Sequence, residues 1–283
     1  MKAFFYTAFA LTAFAFNSIL CRLALGAQAI DAASFTTVRL ISGVAALVLI
    51  GLVIGKKESI KKSGNWISAF FLFAYAICFS FAYVNLTTAT GALILFGSVQ
   101  ATMIFAAFAA GEKPKMTEMI GLVLAVGGLI YLVFPGLSAP PPVSSALMTF
   151  AGVSWGFYTL RGRGSSNPLA ETTGNFLRAA PLAVLTSLLF APQIHLSGDG
   201  FTFAVLSGAI ASGIGYAVWY SALKYHTATR AAILQLSVPV LAAFGGVVLL
   251  AESVSARLVT AAIIIIGGIL TAIAGRKYDK NKA

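Results

Sequence analysis

Residues 88–100 read TATGALILFGSVQ, and 139 positions later residues 227–239 read TATRAAILQLSVP. Thr88, Ala89, Thr90, Ala92, Ile94, Leu95, Ser98 and Val99 thereby fall on Thr227, Ala228, Thr229, Ala231, Ile233, Leu234, Ser237 and Val238. Outward from this stretch the same shift sets Arg22 on Arg161, Arg39 on Arg178 and Ser68 on Ser207. One inserted residue later, at an offset of 140, Glu112 meets Glu252 and the pair Gly127, Gly128 meets Gly267, Gly268. Small apolar alphabets match by chance. Two arginines, a Thr-Ala-Thr run and a glycine pair in one register are instead the mark of an internal duplication.

The duplicated unit is apolar. Of 283 residues 59% are hydrophobic and 10% charged, and the mean hydropathy is +0.92. A soluble domain of this length needs more charge than that to cover its outside. A bilayer core about 30 Å thick calls for about 20 apolar residues per helix, and only helices or closed barrels satisfy the backbone in lipid. Ten segments qualify as helices: 3–25, 33–54, 65–86, 89–110, 117–135, 145–161, 170–190, 200–222, 229–250 and 257–274. Barrel staves are not favoured, because the runs lack period-two alternation and are too long. The PGLSAPPP stretch from Pro135 is the linker between two halves, 1–138 and 139–283. Each half holds five helices, an odd number, so the second enters the membrane in the opposite sense. The expected fold is an all-α membrane protein of ten transmembrane helices in two inverted five-helix repeats, an arrangement that gives alternating access to a site near the midplane.

The formal net charge of +11 comes from Lys and Arg strung out between the apolar runs, the pattern of topology signals rather than of a nucleic-acid face. Fifteen of the nineteen fall on one alternating set of helix ends, Arg257 stands alone on the opposite set, and Arg22, Arg39 and Arg178 lie within helices. The positive-inside rule then puts both termini in the cytoplasm. Cys21 and Cys78 fall inside apolar runs and form no disulfide framework or metal cluster. The strings GLVIGKK from Gly51 and GEKPK from Gly111 lack the spacing and the Ser or Thr of a phosphate loop, so ATP-driven transport is not expected. The apolar run from Ala3 to Cys21 exceeds a signal-peptide core of about 7–15 residues and is read as the first helix.

Several short motifs follow in order. Ser154, Trp155 and Gly156 form SWG in the sixth helix, and Ser237, Val238 and Pro239 form SVP in the ninth. Glu112 and Glu252 close the fourth and ninth helices, and Gly-Gly pairs follow in the fifth and tenth. With the five-plus-five duplication, these features resemble the EamA-type transporters of the drug/metabolite transporter superfamily over nearly the whole chain. Two places depart from the pattern. Phe16 and Asn17 stand where such proteins often carry Trp-Gly, and Gln100 stands where the fourth helix often has Pro. The resemblance implies a secondary transporter that exports amino acids or related metabolites across the bacterial inner membrane, with a broad-specificity drug exporter as the rival reading.

Polar groups facing lipid are costly, so those at mid-span are expected to face other helices or a cavity. Asn17, Tyr75, Gln100, Trp155, Tyr158, Tyr216 and Gln235 are the candidate substrate contacts, around a central, mostly apolar cavity. Tyr83, Trp219 and Tyr220 lie nearer span ends, where an interfacial belt is the competing role. Gly152 and Gly156 form a GxxxG pattern suited to close helix packing. Arg22, Arg39 and Arg178 are expected to anchor at the interface by snorkelling, or else to help close the pathway or attract anionic groups, Arg39 and Arg178 being the stronger candidates because they lie further into their spans. Glu112 and Glu252 are expected as helix caps or gate partners, and His195 and His226 carry no assigned role.

No nucleophile, acid/base pair or metal cluster that an enzyme would need emerges, so the chain is read as a transporter without cofactor. All eight acidic residues can be placed at helix ends or loops: Asp31, Asp199 and Glu252 outside, and Glu58, Glu112, Glu118, Glu171 and Asp279 inside. Proton-driven cation exporters need a buried carboxylate, whereas the intramembrane charges here are arginines. Facilitated diffusion or exchange of neutral, zwitterionic or anionic metabolites is therefore expected. The expected partners are a small-molecule substrate and the lipid bilayer, in a monomer or homodimer.

Overall fold

A computed structural model of the chain describes residues 2–54, 63–109, 116–134, 139–163, 165–226, 234–235 and 237–277. These residues are helical almost throughout; beside the helices stands an isolated bridge between Ile30 and Leu196. The helices are α1 (Lys2–Gly26), α2 (Ala32–Val53), α3 (Trp66–Tyr83), α4 (Thr88–Ala109) and α5 (Met116–Val133). There follow α6 (Pro142–Gly162), α7 (Pro168–Leu189), α8 (Gly198–Leu223), α9 (Ser237–Leu250) and α10 (Ala256–Lys277). Each expected span overlaps one of these helices, and most of the first turns of the ninth span lie outside the described residues.

Side chains set the helix starts. Asp31, Asn65, Asn167 and Ser197 each accept a bond from the backbone N–H three residues on, which satisfies a donor that the first turn leaves open. Lys2–Gly26, Ala32–Val53, Trp66–Tyr83, Thr88–Ala106 and Gly198–Leu223 are long and apolar enough to cross a bilayer, while Met119–Leu132, Ser237–Leu250 and Ala256–Gly268 are shorter apolar helices. Helices α6 and α7 are long enough but richer in Ser and Thr. Their hydroxyls bond back to carbonyls one turn earlier, as Thr149 does to Ser145 and Thr173 to Leu169, so these groups are satisfied without water. The outside is apolar: Phe4, Phe5, Leu49, Phe70, Phe150 and Leu188 are all more than half exposed. Such an exterior matches lipid rather than water. The chain is thus a multi-pass α-helical membrane protein.

Packing brings the two ends of the sequence together. Helix α1 lies against α8 and α9, and α6 lies against α3 and α4. Helices α2 and α7 contact each other, as do α4 and α9, and α5 and α10. Small residues make the closest crossings. A Cβ on Gly152 would stand 2.5 Å from the Leu95 carbonyl oxygen, so the glycine lets α6 lie directly on α4. In the Gly-Gly pairs, Gly128 faces Ile265 and Gly268 faces Gly121 and Leu124, while Gly127 and Gly267 point into open space.

Loops gather on two sides, and the side carrying Lys2 is here the near side. There Arg178 Nη1 donates to the Ser63 carbonyl (2.9 Å), and Arg161 reaches Ser68 Oγ (3.1 Å) and Asn65 Oδ1 (3.3 Å). On the far side, Asp31 Oδ2 accepts from the His195 N–H (3.0 Å), and Arg257 caps the end of α5 through the carbonyls of Tyr131 and Phe134. A far-side vestibule of about 710 Å³ lies between the ends of α1, α3 and α6 and the segment before α8, lined by Leu25, Asp31, Asn85, Ser144, Leu147 and His195 among others.

Candidate transport site

The centre of the bundle is built around Arg39. It lies two turns into α2 with 1% of its surface exposed, so it does not snorkel to either interface. Its Nε donates to Ser212 Oγ (2.9 Å), and its Nη2 donates to Tyr75 Oη (3.1 Å) and Tyr216 Oη (2.7 Å). The two tyrosine hydroxyls are 3.2 Å apart. The guanidinium carbon also lies over the rings of Tyr75 and Phe79, 5.2 and 5.1 Å from their centroids, where ring quadrupoles attract a cation. Asn17 extends the network: its amide nitrogen donates to Tyr75 Oη (3.4 Å), and its Oδ1 accepts from Ser207 Oγ (2.6 Å).

Local backbone form explains how α8 supplies two of these serines. Residues Ser207–Ile214 widen into a π-helix, a form concentrated at functional sites. Gly208 sits so close to α2 that a Cβ there would strike the Arg39 carbonyl and Ser42 Oγ. With α8 this near, Ser212 reaches Arg39 and Ser207 reaches Asn17.

An aromatic cluster encloses the polar hub. Trp155 packs against Tyr216, Tyr75, Tyr158 and Phe14 at centroid distances of 4.5, 5.0, 5.5 and 5.7 Å. Phe14 also meets Tyr216 and Trp219, each at 5.7 Å. What remains is a cavity of about 10 Å³ lined by Phe14, Asn17, Tyr75, Phe79, Trp155 and Tyr216 with Ser18, Leu95 and Phe96. That volume holds about one water molecule, so the expected central cavity is all but filled here by the aromatic rings.

Of the candidate contacts, Asn17, Tyr75, Trp155 and Tyr216 line this cavity, and Tyr158 stands behind Trp155. Gln100 and Gln235 are buried but do not line it. Tyr83, Trp219 and Tyr220 are buried rather than at a membrane interface, because their faces of α3 and α8 turn inward: Tyr83 Oη donates to the Thr88 carbonyl (3.3 Å), Tyr220 Oη donates to the Tyr158 carbonyl (2.9 Å), and Trp219 packs on Phe14. Sequence reasoning missed Phe14, Phe79, Ser207 and Ser212. The small-residue run SGAIASGIG from Ser207 was the available signal for an unusually close helix contact.

Arg22 and Glu252 meet on the far side. Arg22 Nε lies 3.2 Å from Glu252 Oε1, and Arg22 Nη1 donates to the carbonyls of Tyr83 (3.3 Å) and Val84 (3.2 Å). The Glu252 carboxylate also accepts from the Thr88 N–H, at 2.8 and 3.1 Å to its two oxygens, and so caps α4. Ala251, in the left-handed region at φ 52, ends α9 and turns the chain so that the Glu252 N–H bonds back to the Gly246 carbonyl (3.1 Å). The latch joins the ends of α1, α3, α4 and α9. Glu112, its counterpart in the repeat, lies outside the described residues.

A helical bundle with an apolar exterior and its polar groups drawn into a closed central hub has the build of a membrane transporter. The sequence matches the model of the EamA-like transporter family over residues 1–134 and 144–274, and the chain belongs to that family. An uncharacterised protein of Pseudomonas aeruginosa is 49% identical over 270 residues, which span 95% of this chain and 94% of that protein. The aromatic amino acid exporter YddG of Ancylobacter novellus is 26% identical over 172 residues, 59% of this chain and 60% of that protein. A "Probable amino-acid metabolite efflux pump" of Salmonella typhimurium is 24% identical over 222 residues, 73% of this chain and 74% of that protein. A solved crystal structure superposes with a TM-score of 0.68 at 22% identity, over 94% of this chain and 97% of that chain, which speaks to the fold alone.

Proposed function

We propose that the chain moves small metabolites, amino acids or related compounds, out across the bacterial inner membrane by alternating access, without ATP. In this reading ten helices cross the membrane as two inverted repeats, 1–138 and 139–283, with the near side and both termini cytoplasmic. The observation that carries it is the composition of the central hub. Phe14, Asn17, Arg39, Tyr75 and Phe79 come from the first repeat, and Trp155, Ser207, Ser212 and Tyr216 come from the second. A site shared by both halves is where rocking of one half against the other would expose a substrate to each side in turn.

The packing supports the repeat. If each helix is exchanged for the one five places away, the contacts of α1 with α8 and α9 become those of α6 with α3 and α4. The names of the distant relatives support amino acids as the class of cargo. Absence of an acidic residue at mid-span in the sequence supports exchange or facilitated diffusion over proton-coupled extrusion of lipophilic cations.

Counterflow in proteoliposomes tests the reading. Vesicles loaded with an unlabelled amino-acid mixture should accumulate external labelled amino acid transiently and faster than empty ones. No trans-stimulation by any amino or organic acid would refute it. Concentrative uptake of an organic cation that requires an imposed pH gradient would instead favour the drug-exporter reading.

A further inference from the structure

Arg39 keeps its positive charge at physiological pH and is buried. Among the described residues no carboxylate lies within ion-pair distance of it; the ion pair found there is Arg22 with Glu252, at the far side. Its known acceptors are three neutral hydroxyls, on Ser212, Tyr75 and Tyr216. Its Nη1 is buried and has no hydrogen-bond partner. A buried guanidinium so placed is short of both countercharge and acceptors.

The hub around it has the same imbalance. Tyr75 Oη receives from Arg39 and Asn17. Tyr216 Oη receives from Arg39 and shares one bond with Tyr75. Whichever way the bond between the two tyrosines runs, one of their O–H groups has no acceptor within the cluster. A carboxylate is the group that repairs this deficit: it accepts only, brings one negative charge, and matches a guanidinium edge with two oxygens. Tyr75 and Tyr216 belong both to the Arg39 network and to the lining of the central cavity, whose other walls include Phe14, Phe79 and Trp155.

We propose that Arg39 is the receptor for a carboxylate on the transported molecule, with its Nη1 and the surplus tyrosine O–H as donors and the aromatic walls holding the apolar remainder. This rests on the transport reading above and narrows its cargo to carboxylates bearing an apolar or aromatic body. Such a group is carried by amino acids and by simple organic acids alike. Cations of the same shape are excluded by repulsion from Arg39.

The test is binding to the purified full-length protein in detergent, read by tryptophan fluorescence and thermal shift. Four probes share one ring and differ in whether they carry a carboxylate, an ammonium group or both: phenylalanine, 3-phenylpropionate, phenylalaninamide and phenethylamine. The two carboxylates should bind at least tenfold more tightly than the amide and the amine, and the order between the two shows whether the amino group is also read. Arg39→Gln should remove that preference, and Arg39→Lys should retain part of it, having the charge without the planar fork. If Arg39 only tethers helices, Arg39→Gln lowers the melting temperature while wild type shows no acid preference. The proposal is overturned if neither carboxylate binds wild type, if acid and amide bind equally, or if Arg39→Gln keeps the preference. Trans-stimulated counterflow of the amino-acid mixture by the same preparation separates the two readings. Its presence without acid preference sinks the Arg39 assignment alone, and its absence for every cargo sinks the transport reading itself.

Discussion

Removing the carboxylate of Glu252 should unlock the far side of the bundle. In the closed arrangement that carboxylate takes the Arg22 Nε–H at 3.2 Å and the Thr88 N–H at 2.8 and 3.1 Å, and so holds the ends of α1, α4 and α9 together. Hydrogen bonds to a charged group contribute about 1.5–3 kcal/mol each when buried. The side chains of Arg22 and Glu252 are 24% and 11% exposed, which screens the ionic part. A latch worth about 2 kcal/mol in total is therefore reasonable, or about 30-fold in the balance between far-side-closed and far-side-open forms at about 1.4 kcal/mol per decade. Glu252→Gln keeps an acceptor for Thr88 and should cost about half as much, roughly fivefold.

The reporter for this is a cysteine at Ser18, which lines the central cavity and is buried, in a background with Cys21→Ala and Cys78→Ala. A membrane-impermeant maleimide applied to the far side of right-side-out vesicles should label it about 30 times faster in Glu252→Ala than in the parent, with Glu252→Gln between them. Labelling rates within twofold of the parent, in well-folded protein, would show that the pair is a surface contact without a gating role.

Two further outcomes follow from backbone placement. Gly152→Ala should lower stability by about 1–3 kcal/mol through overpacking, since the new methyl meets the Leu95 carbonyl at 2.5 Å and Ser98 Cβ at 2.6 Å. Gly127→Ala, with nothing within 4 Å, should be neutral or stabilising. Parallel thermal unfolding in detergent checks the pair, and equal effects would contradict the close crossing of α4 and α6. Ala251→Gly should relieve about 1 kcal/mol of left-handed strain at φ 52 and raise the melting temperature by roughly 2–4 °C. A lower melting temperature for this variant would refute the strain assigned to Ala251.

Helix positions were legible because hydropathy and capping agree. The expected span 33–54 and the helix Ala32–Val53 differ by one residue at each end, with Asp31 as its cap. Part of the site was legible too, because Asn17, Tyr75, Trp155 and Tyr216 are large polar-edged side chains at mid-span, where facing lipid is costly. The burial of Arg39 in the hub was not. Its position seven residues into α2 suggests a snorkelling anchor, but depth along a helix says nothing of rotation about its axis. The face that carries Arg39 is the one packed on α3 and α8. The π-helix at Ser207–Ile214 was hidden for a similar reason: it accompanies the close approach of Gly208 to α2, a tertiary contact that the small-residue run from Ser207 permits but does not specify.

The repeat also misleads at the one place where it matters most. A shift of 139 residues pairs Arg39 with Arg178, and equal roles would follow if the halves were in equivalent states. Arg39 instead sits in the central hub, while Arg178 bonds the carbonyls of Ser63 and Gly174 at the near side. Ser68 and Ser207, another matched pair, likewise differ: Ser207 holds Asn17 in the hub, and Ser68 holds Arg161 near the surface. On the inverted-repeat reading proposed above, such differences are required. A transporter that opens to one side at a time has its halves in unlike conformations at every moment, and the matched residues trade environments only when the molecule turns over. Arg178 should therefore move toward the centre as the molecule turns over. Electron paramagnetic resonance distances between spin labels at Ser63 and Leu177, measured with and without the carboxylate probes, would reveal that motion, and a distribution unaltered by a probe that binds would argue that Arg178 is a fixed anchor.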